Sequence, residues 1–157
     1  MPLPQLNFPQ YEFRLRENHS RPEVFDEVRK KWVSLTPEEW VRQHALKWLI
    51  AEKNYPASLM AVEKSIALNG LVKRCDIVAF SKDTKPLLIV ECKSHEVEIT
   101  QAVFDQAARY NMTLNVDLFL LTNGLRHFCC RADHEKQDYT FLKELPAFER
   151  NKEEKKD

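Results

Sequence analysis

Two stretches of the chain repeat apolar residues at the spacing of an amphipathic helix. The first covers residues 36–53, and its apolar stripe consists of Val41, Ala45, Trp48 and Leu49. Thr36 suits the N-cap of this helix, and Pro37 suits its first position. The second covers residues 97–112, and its predicted stripe consists of Ile99, Val103, Gln106 and Tyr110. We expect each stripe to pack against a β-sheet.

Five further segments are typical of β-strands, because they are short, rich in apolar residues and bounded by turn residues. They are residues 58–68, 75–80, 86–93, 116–122 and 125–131. Met60, Val62 and Ile66 are expected to share one face of the first strand. Short connections join the first three strands and predict an antiparallel meander, and an Asn-Gly pair between the last two predicts a hairpin. The order of these elements predicts an α/β fold with a mixed sheet and helices against it.

The two ends of the chain differ from this central part. Residues 1–22 hold four of the eight prolines and predict an extended arm, with at most one hairpin around residues 10–17. Residues 22–35 are expected to form a short helix or turn that packs its apolar side chains on the core. The predicted organisation is therefore an arm and short helix over 1–35 and a domain over 36–148. A disordered charged tail is predicted over 149–157.

The overall charge changes this picture only slightly, since 24 basic residues balance 24 acidic residues. A protein that only binds phosphates would usually be basic. The balance argues against a strong non-specific nucleic-acid binder but allows an enzyme whose acidic site holds cations. The sequence shows neither a signal peptide nor a membrane span, so we expect a cytoplasmic protein without membrane attachment. The four cysteines match no common zinc spacing and are expected to be reduced thiols.

The strand at residues 86–93 ends on two opposite charges. Alternate side chains of a strand share a face, so Glu91 and Lys93 are expected to be neighbours on one side. Asp76 begins the preceding strand, and the predicted hairpin brings it beside Glu91. Adjacent carboxylates repel unless a cation lies between them, and Mg²⁺ suits two carboxylates, waters and a substrate phosphate. The alternative is a structural salt bridge at a strand end.

Asp76, the Glu91-Cys92-Lys93 triplet and a helix that carries Gln106 and Tyr110 together resemble the PD-(D/E)xK nuclease superfamily. More closely, they resemble the nuclease domain at the amino end of the R subunit of type I restriction enzymes. The stretches TPEEWVRQH, VEKSI, KRCDIVAF and LLTNG look like those of small stand-alone proteins related to that domain. The resemblance covers about residues 36–130. It implies a restriction-endonuclease-like core with the order αβββαβ plus a C-terminal hairpin strand.

The resemblance also implies roles for individual residues. Asp76 and Glu91 would bind Mg²⁺ or Mn²⁺, and Lys93 would be the catalytic lysine. Gln106 and Tyr110 would position the DNA or the lysine. In the apolar stripe of the second helix, the amide of Gln106 would need a partner, and a backbone group is the alternative to a functional one.

Further candidates surround this set. Members of the superfamily often take another acid from the first helix, and Glu39 fits that place, although it also completes a capping box with Thr36. Glu63 in the first strand is a rival for the same role. Three arginines are candidates for holding the nucleic-acid backbone: Arg42, Arg74 and Arg109.

The predicted function is a Mg²⁺-dependent endonuclease that hydrolyses DNA phosphodiester bonds. The chain has two glycines and no P-loop motif, so we expect no ATP site. The alternatives are a non-catalytic module on the same fold, which binds nucleic acid or a partner protein, and a plain interaction protein. A homodimer or a targeting partner is expected to complement so small a nuclease. The sequence leaves open whether the substrate is duplex, single-stranded, branched or modified DNA, or RNA.

Overall fold

A computed structural model describes residues 3–149, and within them the chain forms two α-helices and nine strands. In chain order these are β1 Leu15–Asn18, β2 Arg21–Asp26, β3 Lys31–Ser34, α1 Pro37–Ala51, β4 Met60–Leu68, β5 Leu71–Phe80, β6 Pro86–Cys92, α2 Gln101–Met112, β7 Leu118–Thr122, β8 His127–Asp133 and β9 Asp138–Leu142. Neither helix has the length and apolar composition needed to span a bilayer in this part of the chain. Apart from Glu149, the predicted charged tail lies outside the described residues.

The main sheet has six strands in the order β4-β5-β6-β7-β8-β9. Its neighbouring strands are antiparallel except β6 and β7, which are parallel because α2 carries the chain back across the sheet. Asn69 and Gly70 both have positive φ and form the tight turn between β4 and β5. The arrangement confirms the predicted α/β fold, a mixed sheet in the order αβββαβ followed by a hairpin strand. The edge strand β9 was not predicted, because its polar and exposed residues lack a clear apolar run.

Each face of the sheet carries one apolar core. On the first face, α1 packs on the sheet through a cluster that includes its own Val41, Ala45 and Leu49 together with Ile77 of β5 and Leu88 and Val90 of β6. On the second face, α2 packs on the sheet through a cluster that includes its own Phe104, Ala107 and Ala108 together with Val78 of β5, Ile89 of β6 and Phe119 of β7. Complete burial of a large aliphatic side chain stabilises the fold by roughly 1.5–3 kcal/mol. Strand β6 contributes to both cores and is thereby fixed in the middle of the domain.

The face presented by β4 changes along its length, which corrects the prediction that Met60, Val62 and Ile66 share one face. Met60 and Val62 pack in the first core, whereas Ile66 packs in the second. Between them, Glu63 has a φ of 54°, a left-handed conformation that non-glycine residues rarely adopt. It interrupts the alternation, and the pairing of β4 with β5 passes from Val62–Ile77 to Lys64–Cys75. The irregularity lies directly opposite Asp76.

The N-terminal segment forms a second, three-stranded sheet in the order β1-β2-β3. This corrects the expectation of a short helix or turn over residues 22–35. Val24 is fully buried while the neighbouring Glu23 and Phe25 are not, which is strand alternation. The carboxylate of Asp26 accepts hydrogen bonds from the backbone N–H groups of Val28 and Arg29 and so closes the turn between β2 and β3. A helix would leave this turn unformed.

Helix α2 begins four residues later than predicted, and its buried face differs. Thr100 caps the helix by accepting from the N–H of Val103, so Ile99 lies before the helix and does not set its phase. The buried residues are Phe104, Ala107, Ala108, Asn111 and Met112. Gln106 is exposed and Tyr110 is 44% exposed, so the prediction that both belong to the apolar stripe is wrong.

Candidate active site

Asp76 and Glu91 lie opposite each other where the pairing of β5 and β6 ends. The last paired residues at this end are Ile77 and Val90, and Asp76 and Glu91 are the next residues on each strand. Instead of a backbone hydrogen bond, the Oδ2 atom of Asp76 accepts one from the backbone N–H of Cys92, at 2.7 Å. The Asp76 side chain is therefore tied to the backbone between the two charged residues of β6, Glu91 and Lys93.

The other oxygen of Asp76 accepts a hydrogen bond from Arg42 of α1. The distance from Nη2 of Arg42 to Oδ1 of Asp76 is 2.8 Å, and Nη1 of Arg42 is 2.7 Å from Oε1 of Glu39. Glu63 and Glu38 are more distant, at 3.4 and 3.6 Å from the guanidinium. Burial alone would lower the pKa of Arg42, but its hydrogen bond to Asp76 and the charges of Glu39 and Asp76 raise it. Arg42 thus remains charged at the centre of four carboxylates.

Glu91 is bonded by two lysines. Nζ of Lys73 is 2.6 Å from Oε1 of Glu91, and Nζ of Lys93 is 3.4 Å from Oε2. Burial would raise the pKa of Glu91, but the hydrogen bond and charge of Lys73, with a smaller effect of Lys93, lower it. Nζ of Lys73 also lies 4.7 Å from the ring centroid of Tyr110, at a cation–π distance. The charged end of β6 therefore presents an ionised carboxylate between two ammonium groups.

Lys73 was missed because the predicted second strand began at Cys75. In the structure β5 begins at Leu71, and its first residues extend beyond the end of β6. This overhang allows Lys73 to reach back to Glu91. The useful signal was the Asn69-Gly70 turn, since a two-residue hairpin requires strand pairing to start directly after it.

Glu39 takes part in the N-terminal cap of α1 through its backbone, whereas its carboxylate points to the charged cluster. Its backbone N–H donates to Oγ1 of Thr36, which makes Thr36 the N-cap of α1. Its carboxylate does not complete the capping box but is bonded by Arg29, Arg42 and Gln43. Glu63, the rival acid, is bonded by Arg74 at 2.7 Å and lies near Arg42. Both acids therefore contact the cation that bonds Asp76.

Two of the predicted residues do not join this group. The side chain of Gln106 is exposed on α2 and makes no hydrogen bond with the residues that the structure describes. Arg109 lines a groove between α2 and β9, together with residues such as Phe104, Gln137 and Phe141. Gln106 was assigned to the site by the resemblance and by a stripe with the wrong phase for α2, whereas Arg109 was named only as a cation that could hold the nucleic-acid backbone. Tyr110 is connected to the site through its contact with Lys73.

A cleft opens beside the Asp76 cluster between β3 and α1. Its volume is about 440 Å³, and its charged lining residues are Arg29, Lys31, Glu38, Glu39, Arg42 and Glu63. The cleft belongs partly to the N-terminal sheet, in a segment for which the sequence predicted a short helix or turn. Burial and the nearby Asp76 carboxylate raise the pKa of Glu38 at its rim, which reflects the excess of acids on this side. A polar ligand approaching Asp76 from the α1 side would enter here.

Carboxylates are the kind of ligand that Mg²⁺ prefers. Side chains of Asp76 and Glu91 are 17% and 15% exposed, so both carboxylates can be reached from solvent. Among residues 3–149, no three His, Cys, Asp or Glu side chains lie close enough to enclose a metal ion. Mg²⁺ does not need such a cage, because one or two carboxylates, waters and a substrate phosphate complete its octahedron. The ion would have to compete with Arg42 for Asp76 and with Lys73 for Glu91.

Comparison with known proteins identifies the family of this chain. Residues 37–146, more than half of the chain, match the family described as Type I restriction enzyme R protein N terminus (HSDR_N). A comparison with curated proteins gave no match.

The solved structures that match this chain include the following two. One is a fragment assigned to an HsdR subunit of a type I restriction enzyme from Vibrio vulnificus YJ016, with 20% identity and a TM-score of 0.50; the match covers 72% of this chain. This chain spans only 24% of that protein chain. The other is a protein assigned as a nuclease belonging to DUF820 from Anabaena variabilis ATCC 29413, with 12% identity, a TM-score of 0.48 and 85% of each chain covered.

Proposed function

The chain belongs to the family of type I restriction enzyme R protein N termini, and from this premise we propose that it is a Mg²⁺-dependent nuclease that hydrolyses DNA phosphodiester bonds. The observation that carries the proposal is the position of Asp76 directly opposite Glu91, with the ammonium of Lys93 3.4 Å from Glu91. Two carboxylates and an amine at one strand end are the groups that phosphodiester hydrolysis with a hard cation requires.

Each side chain has a proposed task. Asp76 and Glu91 hold the cation, and the hydrogen bond from Cys92 keeps Asp76 aimed at the end of β6. When bound, Mg²⁺ would neutralise phosphate charge and activate a water molecule. The side chain of Lys93 is 37% exposed, so its ammonium can turn from Glu91 to a phosphate oxygen and stabilise the charge that develops there.

Nucleic-acid binding is proposed for the exposed cations around the cleft. Arg74 is 68% exposed and Lys31 lines the cleft, so both can contact phosphates without leaving a buried partner. Because the chain carries no net charge, this electrostatic attraction is expected to be weak. A second copy or a targeting subunit would then supply the remaining affinity and the choice of sequence.

One observation favours the second candidate, a non-catalytic module that binds nucleic acid or a partner. The carboxylates of Asp76 and Glu91 are both neutralised by side chains of the protein itself, Arg42 and Lys73. A site that is already satisfied in this way is stable without a metal ion. The two candidates therefore differ in whether Mg²⁺ displaces these internal cations.

The test compares the wild type with Asp76→Asn and Lys93→Ala on supercoiled plasmid in Mg²⁺ or Mn²⁺. The matched control is Lys136→Ala, which removes an exposed lysine from the turn before β9. We expect wild type and control to nick the plasmid equally, and the two site variants to lose on the order of 10²-fold in rate. Equal nicking by all four proteins would indicate a contaminant and refute the assignment. DNA binding by the wild type without cleavage in either metal would favour the module.

A further inference from the structure

We propose that the N-terminal sheet supplies two positioning residues, Asp26 and Arg29, which orient Asp76 for the proposed hydrolysis. Both residues precede the segment that matches the family, which begins at residue 37. Their importance for catalysis rests on the proposed function, whereas their effect on the orientation of Asp76 can be measured without it.

A continuous chain of charged contacts joins the two residues to Asp76. Nε of Arg29 is 2.6 Å from Oδ2 of Asp26, and Nη2 of Arg29 contacts both oxygens of Glu39, at 3.0 and 3.1 Å. Glu39 accepts from Arg42 at 2.7 Å, and Arg42 donates to Asp76 at 2.8 Å. The alternation of acid and base is unbroken from β2 to β5, so the position of each group depends on both of its neighbours.

Asp26 is held rigidly at the N-terminal end of this series of charged contacts. Its side chain is fully buried, and its carboxylate accepts from the backbone N–H groups of Val28 and Arg29 and from the side chains of Arg29 and Gln43. Gln43 also donates to Glu39 at 3.0 Å and so braces the next acid in the chain. With its oxygens occupied, Asp26 has little freedom to move.

Stability alone does not account for so many buried charges. Desolvation of each charge costs several kcal/mol, and a well-packed apolar replacement is often equally stable. Apolar contacts already fasten the N-terminal segment to the core, since Val24 is fully buried and Leu6 packs in the first core. The series of charged contacts instead fixes the direction of the Arg42 side chain. It thereby fixes the one carboxylate oxygen of Asp76 that Arg42 bonds.

The backbone N–H of Cys92, which Asp76 bonds, can report on the last step of this series of contacts. Asp76 accepts from the backbone N–H of Cys92, whereas the adjacent N–H of Lys93 donates to the carbonyl oxygen of Thr122 on β7. Hydrogen exchange of the Cys92 amide therefore reports on the orientation of Asp76. Exchange of the Lys93 amide reports on the integrity of the sheet at the same place.

The experiment measures amide exchange by NMR in the metal-free full chain for the wild type, Arg29→Ala, Asp26→Asn and Arg29→Lys. The control is Arg16→Ala, which removes the Arg16–Glu23 ion pair from the same N-terminal sheet without touching the charged chain. We expect about tenfold faster exchange at Cys92 in Arg29→Ala and Asp26→Asn, the effect of losing one hydrogen bond. Exchange at Lys93 should be unchanged, and Arg29→Lys should restore part of the protection.

Unchanged exchange at Cys92 in both variants would overturn the proposal, as would equal acceleration at Cys92 and Lys93, which would indicate general loosening. If Arg29→Ala does not fold, Asp26→Asn and Arg29→Lys decide the question in the same way. Where the wild type cleaves DNA, the variants should lower kcat with little change in KM. Absence of cleavage by the wild type would refute the proposed function but leave the exchange result intact.

Discussion

Gly124, in the turn between β7 and β8, offers a quantitative test of how the N-terminal segment packs on the domain. Its φ is +86°, and its carbonyl oxygen accepts a hydrogen bond from the N–H of Asn7 at 2.7 Å. A Cβ atom at this position would lie 2.9 Å from Cδ2 of Leu6 and 3.0 Å from Cγ2 of Val41. Substitution by alanine therefore combines an unfavourable backbone conformation with a steric clash.

The two contributions can be separated, because Gly70 has a similar φ of +82° but open space around the position of a Cβ. The left-handed conformation costs an alanine about 1 kcal/mol at either site. Overpacking against Leu6 and Val41 adds about 1–3 kcal/mol at Gly124. We expect Gly70→Ala to lower the free energy of unfolding by about 1 kcal/mol and Gly124→Ala to lower it by about 2–4 kcal/mol.

Urea unfolding followed by tryptophan fluorescence measures both values. Trp40 and Trp48 of α1 pack against Phe13 and Phe8 of the N-terminal segment, so the signal reports on this region. Equal losses for the two variants would mean that Leu6 and Val41 move aside at little cost. In that case the N-terminal segment would not be tightly packed over the turn, contrary to the reasoning above.

Two further predictions concern ionisation. Burial is the main cause that lowers the pKa values of His44 and His127, so the folded state favours their neutral forms. Their contribution to the free energy of unfolding should be fully present above about pH 6.5, the pKa of an unfolded histidine, and should be lost as the pH falls from there toward their folded pKa values. Urea midpoints between pH 8 and 5 test this, and His127→Gln should flatten the profile, so an unchanged slope would contradict it. Lys73→Met should raise the pKa of Glu91, because the hydrogen bond and charge of Lys73 are the strongest contributions that lower it. A ¹³C NMR titration of the Glu91 carboxylate measures this shift, and an unchanged pKa would refute the role of Lys73.

The central fold could be predicted because its signals are local. The capped helix from Thr36, the Asn69-Gly70 turn and the apolar run of β6 all depend on neighbours in sequence, and each has the structure expected. The failure at α2 has an equally local cause: the helix starts at residue 101, so a stripe counted from Ile99 runs along the wrong side. Boundary errors of a few residues thus change which side chains face a site.

The candidate site was only partly predictable, because Asp76, Glu91 and Lys93 belong to a strand motif whereas Arg29 and Lys73 do not. Asp76, Glu91 and Lys93 could be placed by strand alternation and one hairpin. Arg29 reaches Glu39 from a separate sheet, and no periodicity in residues 21–34 indicates that contact. Such tertiary pairs follow from packing of distant segments, which a single sequence does not encode in a readable pattern.

The balance of charge within the site explains how a chain of zero net charge can maintain an acidic centre. Five acids of the cluster have a basic partner within 3.0 Å: Asp26 with Arg29, Glu39 with Arg42, Glu63 with Arg74, Asp76 with Arg42 and Glu91 with Lys73. Glu38 lies farther from its base, at 3.6 Å from Arg42. A divalent cation alone must displace Arg42 or Lys73 and leave that base without its partner, which opposes binding. A phosphate that arrives with the cation supplies the displaced base with a new anion. If the chain is the nuclease proposed above, metal and nucleic acid are therefore expected to bind together, each strengthening the other, rather than the metal first.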